Sequence, residues 1–315
     1  MSNFWSVPFA MRNRIVDLIE EAAAADPNTV FMTGDLGFSV IERIRDRLGE
    51  RFINAGVAEQ NMATMAGALA LNGFRVYMYS ITPFVTLRCI EQLRNDVCYQ
   101  GRNVRVLGIG AGFSYGNLGP SHHALEDATI MGALPGMMVL CPAGCGELDV
   151  LFDAYKDIDE PIYFRIGRER GPELAPNGLS LAHPAWIVRD GADATAVCSG
   201  AILEKALDAA RRLAEDGISL RVVSAPLMHP FPAETIAGLL ADGPVVTVCE
   251  AYAGNPLETG MMRLLLKSGG RHRFEAVSIR QSFPKIVANH ETLREEGGVS
   301  ADSIVAAVRR LVAAK

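Results

Sequence analysis

The stretch FINAGVAEQNMATMAGALALNG, residues 52–73, decides how the chain is read. A short apolar segment runs into a Gly-containing turn and then into a helix predicted over 58–71. That helix carries Ala63, Gly67 and Ala70 along one side and Met62, Met65 and Leu69 along another, so it is apolar nearly all round and is expected to be buried. Glu59 then stands at the mouth of a helix inside the protein. An isolated charge in a low-dielectric interior is costly, so a carboxylate there must find a partner or take up a proton. The helix N-terminus pulls the other way and favours the anion. A glutamate held between these pressures can share a proton with a basic nitrogen. On residue type and position alone, a solvent-facing first-turn Glu that only complements the dipole fits at least as well.

Outward from this stretch, short runs rich in Val, Ile, Phe and Tyr alternate with longer segments of helical period, the pattern of parallel sheets with crossover helices. Strands are expected at 29–33, 74–79, 104–109, 137–141 and 161–166, and a second series at 194–199, 219–224, 244–249 and 273–278. Helices are expected at 9–24, 40–48, 58–71, 84–99 and 146–156, then at 202–215, 233–240, 256–267 and 301–313. The stretch 167–192 is dense in Gly and Pro, shows no sustained period, and reads as a linker. The fold class is therefore α/β, with two doubly wound, mostly parallel domains at 1–180 and 181–315.

The 315 residues suit two domains at roughly 150 each. With 49% hydrophobic and 21% charged residues, disorder is excluded for most of the length. Thirty basic against thirty-six acidic residues, spread without runs, leave no basic footprint for nucleic acid. The N-terminus lacks a leader pattern, no apolar run approaches the ~20 residues that span a bilayer, and the six cysteines read as reduced core residues, so a cytoplasmic location is expected. Cys141 and Cys145 have no second pair at a matching spacing, and no metal site is expected in this chain.

The seven residues GVAEQNM, 56–62, resemble the G-[IV]-A-E-Q-N-M signature of the transketolase family. The resemblance implies that Glu59 bonds N1′ of the aminopyrimidine of thiamine diphosphate and stabilises the imino tautomer that deprotonates the thiazolium C2. Further segments follow in the family's order. TGDLGFS at 33–39 is similar to a loop that would place Asp35 near the cofactor, although an Asp after a strand is also an ordinary turn residue. YSITPFVTLRCIEQLRNDV at 79–97 falls where members carry aromatics that stack on the pyrimidine; Phe84 is the nearest candidate, and a core Phe is the plain alternative.

NLGPSHHALEDATIMGALPGMMVLCPAGCGEL at 117–148 resembles the family's D-G-P-T-H segment and the P-A-x-x-x-E that follows it. By that resemblance His122 faces the substrate, and His123, where Gln is frequent, stands beside it. PIYFRIGR at 161–168 resembles the strand from which an Arg engages an anionic substrate, and Arg165 and Arg168 are both candidates. Residues 190–315 look like the transketolase C-terminal domain, with Glu250 beside its EAYAGNPLETGM turn, and read as structural.

The family's second grip, a G-D-G with a downstream Asn that holds the diphosphate through Mg²⁺ or Ca²⁺, is not in this sequence. The chain thus resembles the C-terminal half of a split transketolase. The resemblance implies a partner N-terminal subunit that carries the diphosphate site, an α2β2 heterotetramer, and two-carbon ketol transfer from a ketose, phosphorylated by expectation, to an aldehyde. Four rivals stand beside it, of which deoxyxylulose-phosphate synthase resembles this half too but is usually one long chain. A β subunit of a 2-oxo acid dehydrogenase E1 component shares the split layout. A non-catalytic scaffold has no need of Glu59. A dinucleotide-binding module would want G-x-G-x-x-G, which GIGAGFSYG at 108–116 only approaches.

Overall fold

The computed structural model describes residues 11–37, 39–269 and 273–313. The first two residues of the expected helix 9–24 and Phe38 of TGDLGFS lie outside them. Helix α1 (Met11–Ala25) leads into strand β1 (Thr29–Thr33), helix α2 (Glu42–Leu48), strand β2 (Phe52–Asn54), helix α3 (Glu59–Leu71) and strand β3 (Arg75–Ile81). Strands β4 (Val104–Ile109), β5 (Met138–Leu140) and β6 (Ile162–Ile166) complete the first series. The second comprises β7 (Trp186–Arg189), β8 (Ala194–Ser199), β9 (Leu220–Ser224), β10 (Leu227–His229), β11 (Val245–Tyr252) and β12 (Phe274–Ile279).

One sheet has the order β10-β5-β6-β4-β3-β1-β2 and the other β12-β11-β8-β9-β7. Both are parallel except at one edge, where β10 runs antiparallel to β5 and β7 antiparallel to β9. Helices cover both faces, as parallel strands buried on both sides require. The residues Val30, Met32, Val76 and Met78 pack under α3, while Phe31, Tyr77 and Tyr79 point to the opposite face beneath α1 and α2. The first of these cores does not stop at the sheet. It continues through Ala128 and Met131 to Val197, Val223, Met228 and Leu257 of the second series, so the two domains share apolar packing.

Three expectations are corrected. The supposed linker 167–192 contributes β7, whose Trp186 indole donates to the buried Glu147 Oε1 at 2.8 Å. That bond supplies the order that the local composition does not. Helix α3 buries the stripe Met62, Ala63, Ala66, Gly67 and Ala70, but leaves Gln60, Asn61, Thr64, Ala68 and Leu71 exposed. The segment expected as one helix over 84–99 is broken: a short helix Thr82–Val85, two further turns, then a π-helical turn Leu93–Cys98. Its break falls at the buried Thr86, whose hydroxyl donates to the Thr82 carbonyl at 2.6 Å, a back-bond that bends helices. Among the described residues no helix is long and apolar enough to cross a membrane.

Candidate active site

Strands β1, β3, β4 and β6 are neighbours and parallel, so their carboxyl ends, Thr33, Ile81, Ile109 and Ile166, share one edge of the sheet. Ligands of open α/β sheets bind in the crevice outside that edge. Helix α3 runs back from β2 to β3, which brings its first residue, Glu59, to the same edge. Gly34, just past β1, packs against it, since a Cβ there would stand 3.4 Å from Glu59 Oε1.

Glu59 is 1% exposed, and its Oε2 accepts a 2.7 Å hydrogen bond from Arg88 Nη1. The Arg88 guanidinium lies 4.3 Å over the Phe84 ring, four residues earlier. Phe84 in turn meets the His122 ring edge-on at 5.2 Å between centroids. His122 approaches Tyr115 at 6.2 Å, and Arg168 lies 5.4 Å from the Tyr115 centroid. Glu59, Phe84, His122 and Arg168, all singled out in the sequence, thus form one line, completed by Arg88 and Tyr115. Burial and the neighbouring His123 push His122 below its ordinary range, which leaves a neutral imidazole, with Nδ1 2.9 Å from Ser121 Oγ.

The line ends on a cleft of about 360 Å³. Leu36, Tyr79, Ile81 and Ile109 give it an apolar lining, and Arg12, Asn117 and Arg168 are its polar members. Burial raises the Tyr115 phenol, while Arg12 and Arg168 pull it down. Arg12, Arg88 and Tyr115 were not found from the sequence. A helix that precedes a parallel strand begins at the edge where the strands end, and that rule alone would have placed Arg12 here.

The other expected site residues are placed differently. Asp35 is exposed at φ +56° and exchanges hydrogen bonds with Asn54: its N–H donates to Asn54 Oδ1 at 3.0 Å, and Asn54 Nδ2 donates to its carboxylate at 2.9 Å. It ties the ends of β1 and β2. Two residues expected at the substrate are enclosed by the chain itself. His123 is 5% exposed, with Nε2 on the Gly116 carbonyl at 3.3 Å and its ring against Phe113, so it faces into its own loop. Arg165 is 2% exposed; Nε donates to Asp127 at 2.8 Å, and Nη2 to the carbonyls of Ala124 at 2.7 Å and Glu250 at 2.9 Å. A guanidinium desolvated and engaged in this way is a strut of the domain.

Comparison with known proteins follows the same outline. Residues 7–172 match the transketolase pyrimidine binding domain, and residues 184–304 match the transketolase C-terminal domain. The chain belongs to the transketolase family. It is 31% identical over 245 residues to one of the subunits of an apulose-4-phosphate transketolase from Phocaeicola vulgatus, covering 76% of this chain and 78% of that one. It is 30% identical over 308 residues to the 6-deoxy-6-sulfo-D-fructose transketolase subunit SqwH of a Clostridium species, covering 97% and 95%. A solved split gene transketolase, described as an inactive beta4 tetramer, superposes with a TM-score of 0.85 at 28% identity over 97% of this chain and 98% of that one. The transketolase family sets the class of this chain as a transketolase-type transferase.

Proposed function

We propose that this transketolase chain supplies the pyrimidine side of a thiamine diphosphate site and, with a separate N-terminal subunit, moves a two-carbon ketol unit from an anionic ketose to an aldehyde. The observation that carries this reading is the enclosed Glu59 carboxylate, 1% exposed at the ligand edge of the sheet, with an aromatic face one residue contact away through Arg88. These residues fit the coenzyme's flat, basic heterocycle. Glu59 holds a proton at the ring nitrogen, and Phe84 offers the stacking surface. Arg88 bridges the Glu59 carboxylate and the Phe84 ring face, so its guanidinium would have to yield both contacts to a bound heterocycle. When bound, the coenzyme supplies the carbanion chemistry that side chains lack. His122, neutral at physiological pH, accepts or returns a proton at a substrate hydroxyl. Arg12 and Arg168 bind the substrate's anionic end, guanidinium being suited to phosphate or sulfonate.

The sequence has no G-D-G, which supports assigning the diphosphate and its Mg²⁺ or Ca²⁺ to the partner subunit in an α2β2 heterotetramer. Two relatives named as transketolase subunits, matched over most of their length, support the split arrangement. Buried free thiols at Cys89, Cys98, Cys141, Cys198 and Cys249 support a cytoplasmic location.

The test is reconstitution with a separate N-terminal transketolase subunit that carries G-D-G, thiamine diphosphate and Mg²⁺, offering phosphorylated ketoses and pyruvate as competing donors. Ketose turnover is expected, with a loss of roughly 10³-fold in Glu59→Ala. Turnover of pyruvate alone would place the chain with the 2-oxo acid dehydrogenases, and full activity in Glu59→Ala would remove the coenzyme assignment.

A further inference from the structure

A second buried charge cluster lies where the two domains meet. Glu250, on β11, is buried. Its Oε1 accepts from the Phe113 backbone N–H at 2.7 Å and faces His290 Nε2 at 2.7 Å. Its Oε2 accepts from Arg294 Nε at 2.8 Å and Nη2 at 2.6 Å. His290 and Arg294 share the helix His290–Gly297. The other ring nitrogen of His290, Nδ1, lies 3.0 Å from Glu169 Oε1, and Glu169 Oε2 accepts from Ser114 Oγ at 3.0 Å. A neutral imidazole has one donor, and here both nitrogens face carboxylate oxygens, so the arrangement calls for the imidazolium.

Two of these bonds fall on one loop. Residues 110–123 leave β4 and carry Tyr115 and His122, and the loop is bonded at Phe113 and Ser114 to the cluster and at Gly116 to His123. It passes Glu250 at closest approach, with Gly112 at φ +64°, where a Cβ would stand 2.4 Å from the Glu250 carboxyl carbon. Glu169 adjoins Arg168, whose guanidinium rests near Tyr115. The second domain therefore holds both partners of the contact that closes the line of site residues.

We propose that Glu250 and His290 are positioning residues for the substrate side of the site: the second domain sets the placement of the 110–123 loop, and through Glu169 that of Arg168, without touching the substrate. The identity of that side as the substrate's rests on the function proposed above; the mechanical link does not.

The link is tested by amide hydrogen exchange of the full chain, which needs neither coenzyme nor substrate. His290→Ala is expected to speed exchange across residues 113–118 by roughly tenfold, about the worth of one net hydrogen bond, with peptides of β1, β3 and β4 unchanged. Glu169→Gln, at an exposed position, is expected to loosen the same peptides by about threefold. Acceleration spread evenly over the chain, or none in this loop, overturns the proposal. In the reconstituted complex, His290→Ala is expected to raise KM for the ketose several-fold with kcat nearly kept, and a loss of kcat at unchanged KM overturns it. Glu59→Ala, whose 110–123 exchange should match the unsubstituted chain, reports on the coenzyme assignment separately, so each reading can fail alone.

Discussion

Glu59 is kept where a carboxylate is costly, and its worth to the protein lies in chemistry. Removing its charge relieves desolvation at the expense of a bond to a half-exposed Arg88. Glu59→Gln is therefore expected to keep the melting temperature of the chain or raise it slightly, measured by calorimetry, while turnover in the reconstituted complex is lost. For His122, burial predicts an NMR titration midpoint below the ordinary 6.5, and a midpoint above that value would contradict a neutral imidazole at the site. Glu59, Phe84, His122 and Arg168 were legible because motif order along the chain matches a family pattern. Arg88 and Tyr115 were not, since their contacts arise from loops that meet only after folding. Arg165 reads in sequence like a binding arginine, and its enclosure by Asp127, Ala124 and Glu250 was not legible there, because those partners come from distant segments.

Helix α3 and the π-helical turn opposite it illustrate how packing overrides local preference. Gly67 lies where a Cβ would stand 2.5 Å from the Asp96 carbonyl oxygen, and Thr64 donates to the Asp96 side chain at 2.7 Å. Helix propensity favours alanine over glycine by about 1 kcal/mol, but overpacking against backbone costs about 1–3 kcal/mol. Gly67→Ala is therefore expected to lower the melting temperature by several degrees, and a rise would show that the two segments can separate freely. At this scale the long buried strands were legible, with β1, β4 and β8 at their expected bounds. Strands β2, β7 and β10 were not expected. Each is three or four residues, too short to show a period, and β7 and β10 gain their order from partners distant in sequence. The π turn was hidden because the segment it packs against, α3, is distant in sequence.

The assembled chain carries a pH dependence centred on His290 of the second domain, to which Glu169 of the first adds. Burial would lower the His290 pKa, but Glu250 and Glu169 overcome that effect and the opposing Arg294, raising it from 6.5 to about 9. A raised histidine adds stability that is complete below about 6.5 and is lost as pH climbs through about 9. The melting temperature is expected to fall across that window, and His290→Gln should flatten the fall. An equal slope in both proteins would mean that another group governs it. The two-sheet α/β plan was legible from alternating strand and helix periods. The charged junction was not, because Glu169, Glu250 and His290 come from three separated segments, each of which reads as an unremarkable turn or strand end.

Strand β10 binds the halves in another way. It is drawn from the second half of the chain yet closes the flank of the first sheet, hydrogen-bonded to β5. Cutting the polypeptide between the matched regions would strip that flank, baring a row of amides and carbonyls that invite self-association. A fragment ending near residue 180 should therefore accumulate as aggregates, and adding back a peptide spanning β10 should suppress them.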